Sequence, residues 1–394
     1  MTDLLLNYQI FALTTDPVYI GTGGYTIGRV DNTIVRDPIT RIPKIPGSSL
    51  AGVWRYYTVL EIFSKIKDEK PTREDILNRS ENTIKDKIDK WIDHNSQNAN
   101  KWNTSEWYFF EGNTLLELNC AGQDNTPQEE LSNIVAKNKE GKTGHCGHCL
   151  VCKGFGFSKK DISWQGMIFF SDLNILFFPV FTMYGTKWLT TVRRLEEAGL
   201  KPDNLSEPID NKVLTKNGNE GHINLGWLYL EVGGLHSVSL NGKIVFESFQ
   251  LNDTDIVIVP ESLFSQIVNS NLEVRTSVSI DPITGAAKEG ALFTSEAIPR
   301  GTILYGNIRI FDKNSFTGIE GKLEPLPDVK NLECALKESK HFFETLGIGG
   351  MTTRGFGRIK IKFIEEIENS NKKVNSPDDT KSQNEQQTNI GGGQ

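Results

Sequence analysis

The stretch Pro17–Arg55, PVYIGTGGYTIGRVDNTIVRDPITRIPKIPGSSLAGVWR, decides how this chain is to be read. It opens on the glycine cluster Gly21-Thr22-Gly23-Gly24, where the backbone can take positive φ and approach a ligand closely. Asp31 follows, with Arg29 and Arg36 on either side of it. Pro43 and Pro46 then hold the chain extended, because proline fixes φ and pushes its predecessor out of the helical region. Beyond Gly47-Ser48-Ser49 come Leu50, Val53, Trp54, Tyr57 and Leu60, an apolar stripe at helical spacing. The pattern predicts a helix over residues 48–66, with Ser48 or Ser49 as its N-cap and free N–H groups there forming an anion site. A glycine loop, a carboxylate, arginines and a helix N-terminus together suit a phosphodiester backbone.

Outward from this stretch, residues 7–13 (NYQIFAL) alternate as a first strand, and apolar density predicts a buried strand within residues 166–178. Further strands are expected at 243–249 and 303–311. Leu332, Ala335, Leu336, Phe342, Phe343 and Leu346 predict a second helix over 328–346, closed by Gly347. Residues 357–364 (GRIKIKFI) alternate as a last strand. Strand, helix, strands, helix, strand is the order of an α+β, ferredoxin-like (RRM-like) β-α-β-β-α-β core. That core is expected from residues 1–66 and 161–367. Residues 67–119 are highly charged with one narrow apolar face (Leu77, Ile84, Ile88, Trp91), and read as an exposed helical insertion. Residues 368–394 contain almost nothing apolar and are expected to be a disordered tail.

Composition narrows the function. No run of some 18 apolar residues is present, so no transmembrane helix and no membrane partner are expected. The N-terminal MTDLLLNYQIFALTTD lacks the basic start and small-residue cleavage site of a signal peptide, which predicts a cytoplasmic protein. A net charge of −7 argues against a freely acting nucleic-acid binder. The first 55 residues, however, balance four acids with five bases, so a local basic groove can coexist with an acidic exterior.

The five cysteines stand at 120, 146, 149, 152 and 334. His145-Cys146-Gly147-His148-Cys149-Leu150-Val151-Cys152 puts three thiols at three-residue spacing with two histidines interleaved. In a cytosolic protein such a cluster reads as metal rather than disulfide, and a closed Cys/His set reads as structural zinc. Cys120, Cys146, Cys149 and Cys152 are the expected ligands, in a zinc-binding insertion over 120–160. The competing set replaces Cys120 with His145 or His148. Cys334, alone on the second helix, is expected in the core.

The residues IGTG, VDNTIVRDP and PKIPGSSLAGVWR resemble the backbone RAMP subunits of type III (Csm/Cmr) CRISPR effector complexes. GIGGMTTRGFG (Gly347–Gly357) resembles that family's glycine-rich loop. Residues 166–191 are similar to the Cmr branch, and PITGAAKEGALFTSEAIPRGT (Pro282–Thr302) is similar to the Csm branch. These ordered blocks cover about a quarter of the chain. The resemblance implies the ferredoxin-like RAMP fold and a filament holding guide crRNA. The implied partners are the target RNA, other backbone RAMP subunits and a large signalling subunit. Zinc-bearing insertions also occur in some of these subunits.

By its place in VDNTIVRDP, Asp31 matches the aspartate that cuts target RNA in many of them, with a divalent cation, magnesium by expectation, neutralising charge on the phosphate. The competing reading is an aspartate capping a turn; Asp37, before Pro38, is the expected turn former. Arg36 and Arg55 are candidate phosphate contacts, against surface salt bridges. Gly349, Gly350 and Arg354 are candidates to meet RNA, against a plain helix-to-strand turn. Residues 280–300 resemble the thumb hairpin that wedges into the guide–target duplex, with Ile283, Leu292 and Phe293 as wedge candidates. Ala51 departs from the family, which often has lysine there. The alternatives are a non-cleaving backbone subunit, a guide-processing RAMP endoribonuclease, and a zinc-stabilised module unrelated to RNA.

Overall fold

The computed structural model describes residues 4–23, 30–67, 110–111, 114–115, 120–122, 145, 147, 149–159, 162–209, 212–216, 221–240, 242–247, 249–313 and 326–365. The charged insertion and the tail expected from the sequence lie almost wholly outside them, as does Arg29.

The alternation in the first strand has a structural consequence on both sides of a sheet. Along β1 (Leu5–Thr14), Ile10 and Ala12 enter one buried cluster while Phe11 and Leu13 enter another on the opposite face. β1 lies between β12 (Ile303–Phe311) and β13 (Ile359–Glu365), antiparallel to both. β12 in turn pairs antiparallel with β4 (Leu173–Thr182). Two short strands, β2 (Lys44–Ile45) and β3 (Ile168–Phe170), pair with β4 and β12 respectively.

The sheet continues beyond β4 through β5 (Gly185–Thr190), β6 (Val213–Thr215), β7 (His222–Leu225), β8 (Leu228–Leu235) and β9 (Ile256–Ile258). The full order is β7-β8-β6-β9-β5-β4-β12-β1-β13, and the β6–β8 and β5–β9 pairs are parallel. The architecture is therefore α+β on one large mixed sheet. Its outer half went unread in the sequence. The expected strand at 243–249 is only a two-residue pairing of Val245–Phe246 with Phe249–Gln250.

Helix α1 (Gly47–Lys67) and helix α5 (Val329–Ser339) pack on the Ile10 face. Trp54 joins them: its indole N–H donates to the Leu336 carbonyl and Ser339 Oγ at 3.2 Å each, and its ring meets Phe343, Phe170 and Phe363. The expected helix over 328–346 breaks at Lys340, and the short α6 (Phe342–Thr345) follows. Gly347 ends it with φ +81°, and a Cβ there would meet the Gly357 carbonyl carbon at 2.8 Å. Cys334 is exposed, not in the core as expected, because it sits on the outer face of α5 beside Glu338. Between α1 and α5 lie α2 (Leu150–Phe155), α3 (Val192–Glu197) and α4 (Glu261–Ser270).

Candidate nucleic-acid interface and thiol cluster

A long hairpin rises from the sheet, β10 (Glu273–Ile280) against β11 (Ala287–Ala297). It starts earlier than the 280–300 expected, since the exposed β10 has no core face to mark it in sequence. At its tip Ile283 is 92% exposed, and Ile280 and Leu292 are exposed too, while Phe293 is half-buried. At its root Ser295, Glu296 and Ala297 are buried.

The Asp31 segment is laid alongside that root. Asn32 N–H donates to the Thr294 carbonyl, and Glu296 N–H donates back to the Asn32 carbonyl, at 3.0 and 3.1 Å. Asp31 is exposed, and its Oδ2 accepts from Thr294 N–H at 2.7 Å and Thr294 Oγ1 at 2.9 Å. The Thr294 N–H first, then its hydroxyl, hold the Asp31 carboxyl below its ordinary value. Asp31 thus stays ionised at neutral pH on an accessible surface. Asp37 is the turn former, as read from the sequence. Its Oδ1 accepts from Ile39 N–H, Thr40 N–H and Thr40 Oγ1. The Thr40 N–H above all brings its pKa down to about 2.

Arg36 serves the protein's own frame. It pairs with Glu296 at 2.6 Å and donates through Nε to Asn269 Oδ1 at 2.8 Å. Glu296 also accepts from Ile34 N–H. The fork expected for a phosphate instead ties the Asp31 segment to β11 and α4.

The glycine-rich loop docks on the other end of the same segment. Gly350 N–H donates to the Tyr19 carbonyl and Gly357 N–H to the Pro17 carbonyl, at 2.9 and 2.8 Å. Gly349 has φ +87°, and a Cβ there would stand 2.2 Å from the Tyr19 carbonyl oxygen, so only glycine fits. Gly349 and Gly350 thus form the turn that docks on Tyr19, while Gly349 stays exposed and Gly350 half-buried on the side away from it. Arg354 in the same loop is exposed, with no side-chain hydrogen bond among the described residues. Arg275 on β10 donates to the Gly355 carbonyl at 3.1 Å and stacks on Phe356, which fastens the loop to the hairpin root.

The N-terminus of α1 already holds one carboxylate. Gly47 N–H donates to Asp172 Oδ1 at 2.8 Å, and Lys44 pairs with Asp172 Oδ2 at 2.6 Å. The helix starts one residue early, so Ser48 and Ser49 lie in its first turn and not at its cap. The chain's own carboxylate takes the anion seat read from the sequence.

Arg55 corrects the sequence reading most sharply. It is only 9% exposed, just over two turns inside α1. Its Nε donates to the Cys120 carbonyl at 2.7 Å and Nη1 to the Gly156 carbonyl at 2.6 Å. Nη2 lies 2.8 Å from His145 Nδ1 and 3.8 Å from Cys152 Sγ. A guanidinium so enclosed cannot reach a phosphate. The sulfurs of Cys120, Cys149 and Cys152 are buried within 4.8 Å of one another. Cys152 N–H donates to Cys149 Sγ at 3.3 Å. Arg55 occupies His145 Nδ1. Cys146 and His148 lie outside the described residues.

Residues 12–360 match the family description "RAMP superfamily". The chain belongs to the RAMP superfamily. Two curated relatives are each called "CRISPR system Cms endoribonuclease Csm3". The one from Streptococcus thermophilus is 46% identical over 63 residues, covering 16% of this chain and 28% of the relative. The one from Methanothermobacter thermautotrophicus is 38% identical over 58 residues, covering 15% and 24%. The matched stretches thus span about a quarter of the length of those relatives. Among solved structures, a type III-B Cmr-beta chain in the apo state is 13% identical over 92% of this chain and 98% of that one, with a TM-score of 0.49. Oligomeric Cmr4 from Pyrococcus furiosus is 18% identical over 91% and 98%, with a TM-score of 0.43.

In this RAMP chain, sequence reasoning missed Thr294, Glu296, Asn269 and Arg275, the side chains that brace the Asp31 segment and the glycine loop. Burial at the root of β11 runs unbroken through Ser295, Glu296 and Ala297, so no period-two signal marked Glu296 in the sequence. Among the described residues no helix is long and apolar enough to cross a membrane.

Proposed function

We propose that this chain is a guide-RNA-binding backbone subunit of a type III CRISPR ribonucleoprotein, and that Asp31 cuts the target RNA paired to the guide. One observation carries the reading: the Asp31 segment, the hairpin root and the glycine-rich loop, far apart in sequence, are laced together at one place. The strand order β13-β1-β12-β4, with α1 and α5 on one face, supports a ferredoxin-like core beneath them. The exposed hairpin acts as the thumb, and Ile283 at its tip is the best wedge. The partners are the guide crRNA, the target RNA, neighbouring backbone subunits and the large signalling subunit, in the cytoplasm.

RNA carries its own nucleophile. The 2′-hydroxyl attacks the adjacent phosphorus, the bond to the 5′ oxygen breaks, and the products are a 2′,3′-cyclic phosphate and a 5′-hydroxyl. The protein need only hold the nucleotide in line and assist with charge or a proton. An exposed, ionised Asp31 on a braced segment suits that work. A divalent cation held at this carboxylate, magnesium by its preference for oxygen, would neutralise charge on the phosphate oxygens. Complex reconstituted with guide and target RNA tests the reading. Cleavage at regular intervals supports it, and target bound but never cut returns the chain to the purely structural alternative.

Guide binding runs through Arg354 rather than Arg36 or Arg55. Arg354→Ala should weaken binding alike for every guide sequence and lower the slope of log K against log salt by about one. Arg36→Ala should leave that slope unchanged. A slope indifferent to Arg354 would put the phosphate contacts elsewhere.

The thiols form a structural zinc site. Ligands about 2.3 Å from a tetrahedral ion stand about 3.8 Å apart, which fits the three buried sulfurs, and Cys146 completes the set. Metal analysis should find about one zinc per chain. Cys149→Ser should lose it and loosen residues 120–152 while the sheet stays folded. Zinc-free protein from a chelator-free purification would overturn this assignment.

A further inference from the structure

We propose that Thr294 is a positioning residue for RNA cleavage, whose hydroxyl decides which oxygen of Asp31 faces the substrate. The inference rests on the reading of Asp31 given above. Both hydrogen bonds from Thr294 end on the same carboxylate oxygen, Oδ2, at 2.7 Å from N–H and 2.9 Å from Oγ1. Asp31 N–H completes the ring by donating to Thr294 Oγ1 at 3.1 Å. The hydroxyl therefore donates to the side chain and accepts from the backbone of one residue. Together these contacts fix both the χ angles of Asp31 and the oxygen that is occupied. Oδ1 is left for a proton, a cation or an RNA hydroxyl.

Such fixing matters because a carboxylate in solution rotates about its last bond and offers either oxygen. Transfer chemistry needs one oxygen at one place, and misplacement by about 1 Å costs on the order of a hundredfold in rate. The only charged side chains flanking this ring on the two paired stretches Val30–Arg36 and Leu292–Ala297 are Arg36 and Glu296, which neutralise each other at 2.6 Å. Orientation of Asp31 thus falls to two neutral donors of Thr294, its N–H and its hydroxyl, and only the hydroxyl belongs to the side chain. Thr294 also stands where the hairpin leaves the protein body, between exposed Leu292 and buried Glu296. The Asp31 carboxylate accordingly keeps its orientation only while the hairpin root holds its own.

The test uses the assembled complex with guide and target RNA, measuring single-turnover cleavage and target affinity separately. Thr294→Val keeps the shape and the backbone N–H but removes the hydroxyl. It should slow cleavage about ten- to a hundredfold with target affinity unchanged. Thr294→Ser, which restores the hydroxyl, should cut at close to the wild-type rate. Wild-type cleavage by Thr294→Val in a complex that Asp31→Ala inactivates would overturn this inference alone. So would equal losses in the Val and Ser variants, or loss of assembly or target binding with Val. Undiminished cleavage by Asp31→Ala would sink the catalytic reading and this inference with it.

Discussion

Asp31→Ala should leave the ribonucleoprotein assembled with its guide bound, while cleavage of the target falls by at least about a hundredfold. The two halves of that result have separate structural causes. Asp31 is exposed, and its side chain contacts only Thr294 among the hydrogen bonds described, so its loss leaves no buried group unsatisfied. The segment keeps its place through backbone bonds from Asn32 to the hairpin root and through Arg36, Glu296 and Asn269. What disappears is the exposed, ionised carboxylate proposed to act on the RNA. Asp31→Asn provides a finer control, because the amide preserves the shape and hydrogen-bonding reach without the charge. If charge or proton transfer is what Asp31 supplies, Asn should be nearly as inactive as Ala. Native gel mobility, guide content and target cleavage, measured on the same preparations, decide the matter. A mutant complex that still cuts at every position would show the assignment to be wrong.

The second large effect is on stability. Arg55→Ala should destabilise the protein by about 3 kcal/mol or more, since it strips the partners from two buried carbonyls and a histidine nitrogen, each worth about 1–3 kcal/mol when orphaned. The guanidinium also lies beside the sulfur cluster, where thiolates bound to a metal would need a nearby positive charge. Its removal should therefore weaken metal retention as well as folding. Arg55→Lys should not rescue, because one ammonium cannot span acceptors in three directions. RNA binding by the folded fraction should keep its salt dependence. Denaturant melts with and without chelator, set beside RNA affinity across salt, separate the possibilities. Wild-type stability with a flattened salt slope would restore Arg55 to the RNA surface.

The elements written in local periodicity were legible in the order of residues alone. β1, β12 and β13 carry period-two alternation and appear within two residues of the expected bounds, and α1 differs by one residue at each end. The Pro17–Arg55 motif and the Gly347–Gly357 loop were each legible as glycine-rich turns, while their docking on one another through Pro17 and Tyr19 was not. Strands of three or four residues such as β6, β7 and β9 escaped because so short a run carries no resolvable period. Two of the pairings of this outer half are parallel, which local turn signals cannot announce.

Side-chain partners were a different matter, and Arg55 shows why. In sequence it is an arginine beside a phosphate-binding motif; in the fold it points inward at Cys120, His145 and Gly156, residues 65 to 101 positions away. Arg36 finds its acid 260 residues downstream, and Asp31 meets Thr294 at a separation of 263. The turns, the helix start and the rough placement of the candidate site follow from the sequence, because glycine, proline and hydrophobic spacing act on the chain locally. Whether a given charge faces solvent or another part of the protein was decided by tertiary structure alone. That outcome depends on which distant strand is brought alongside, and burial then makes an unpartnered charge too costly to leave.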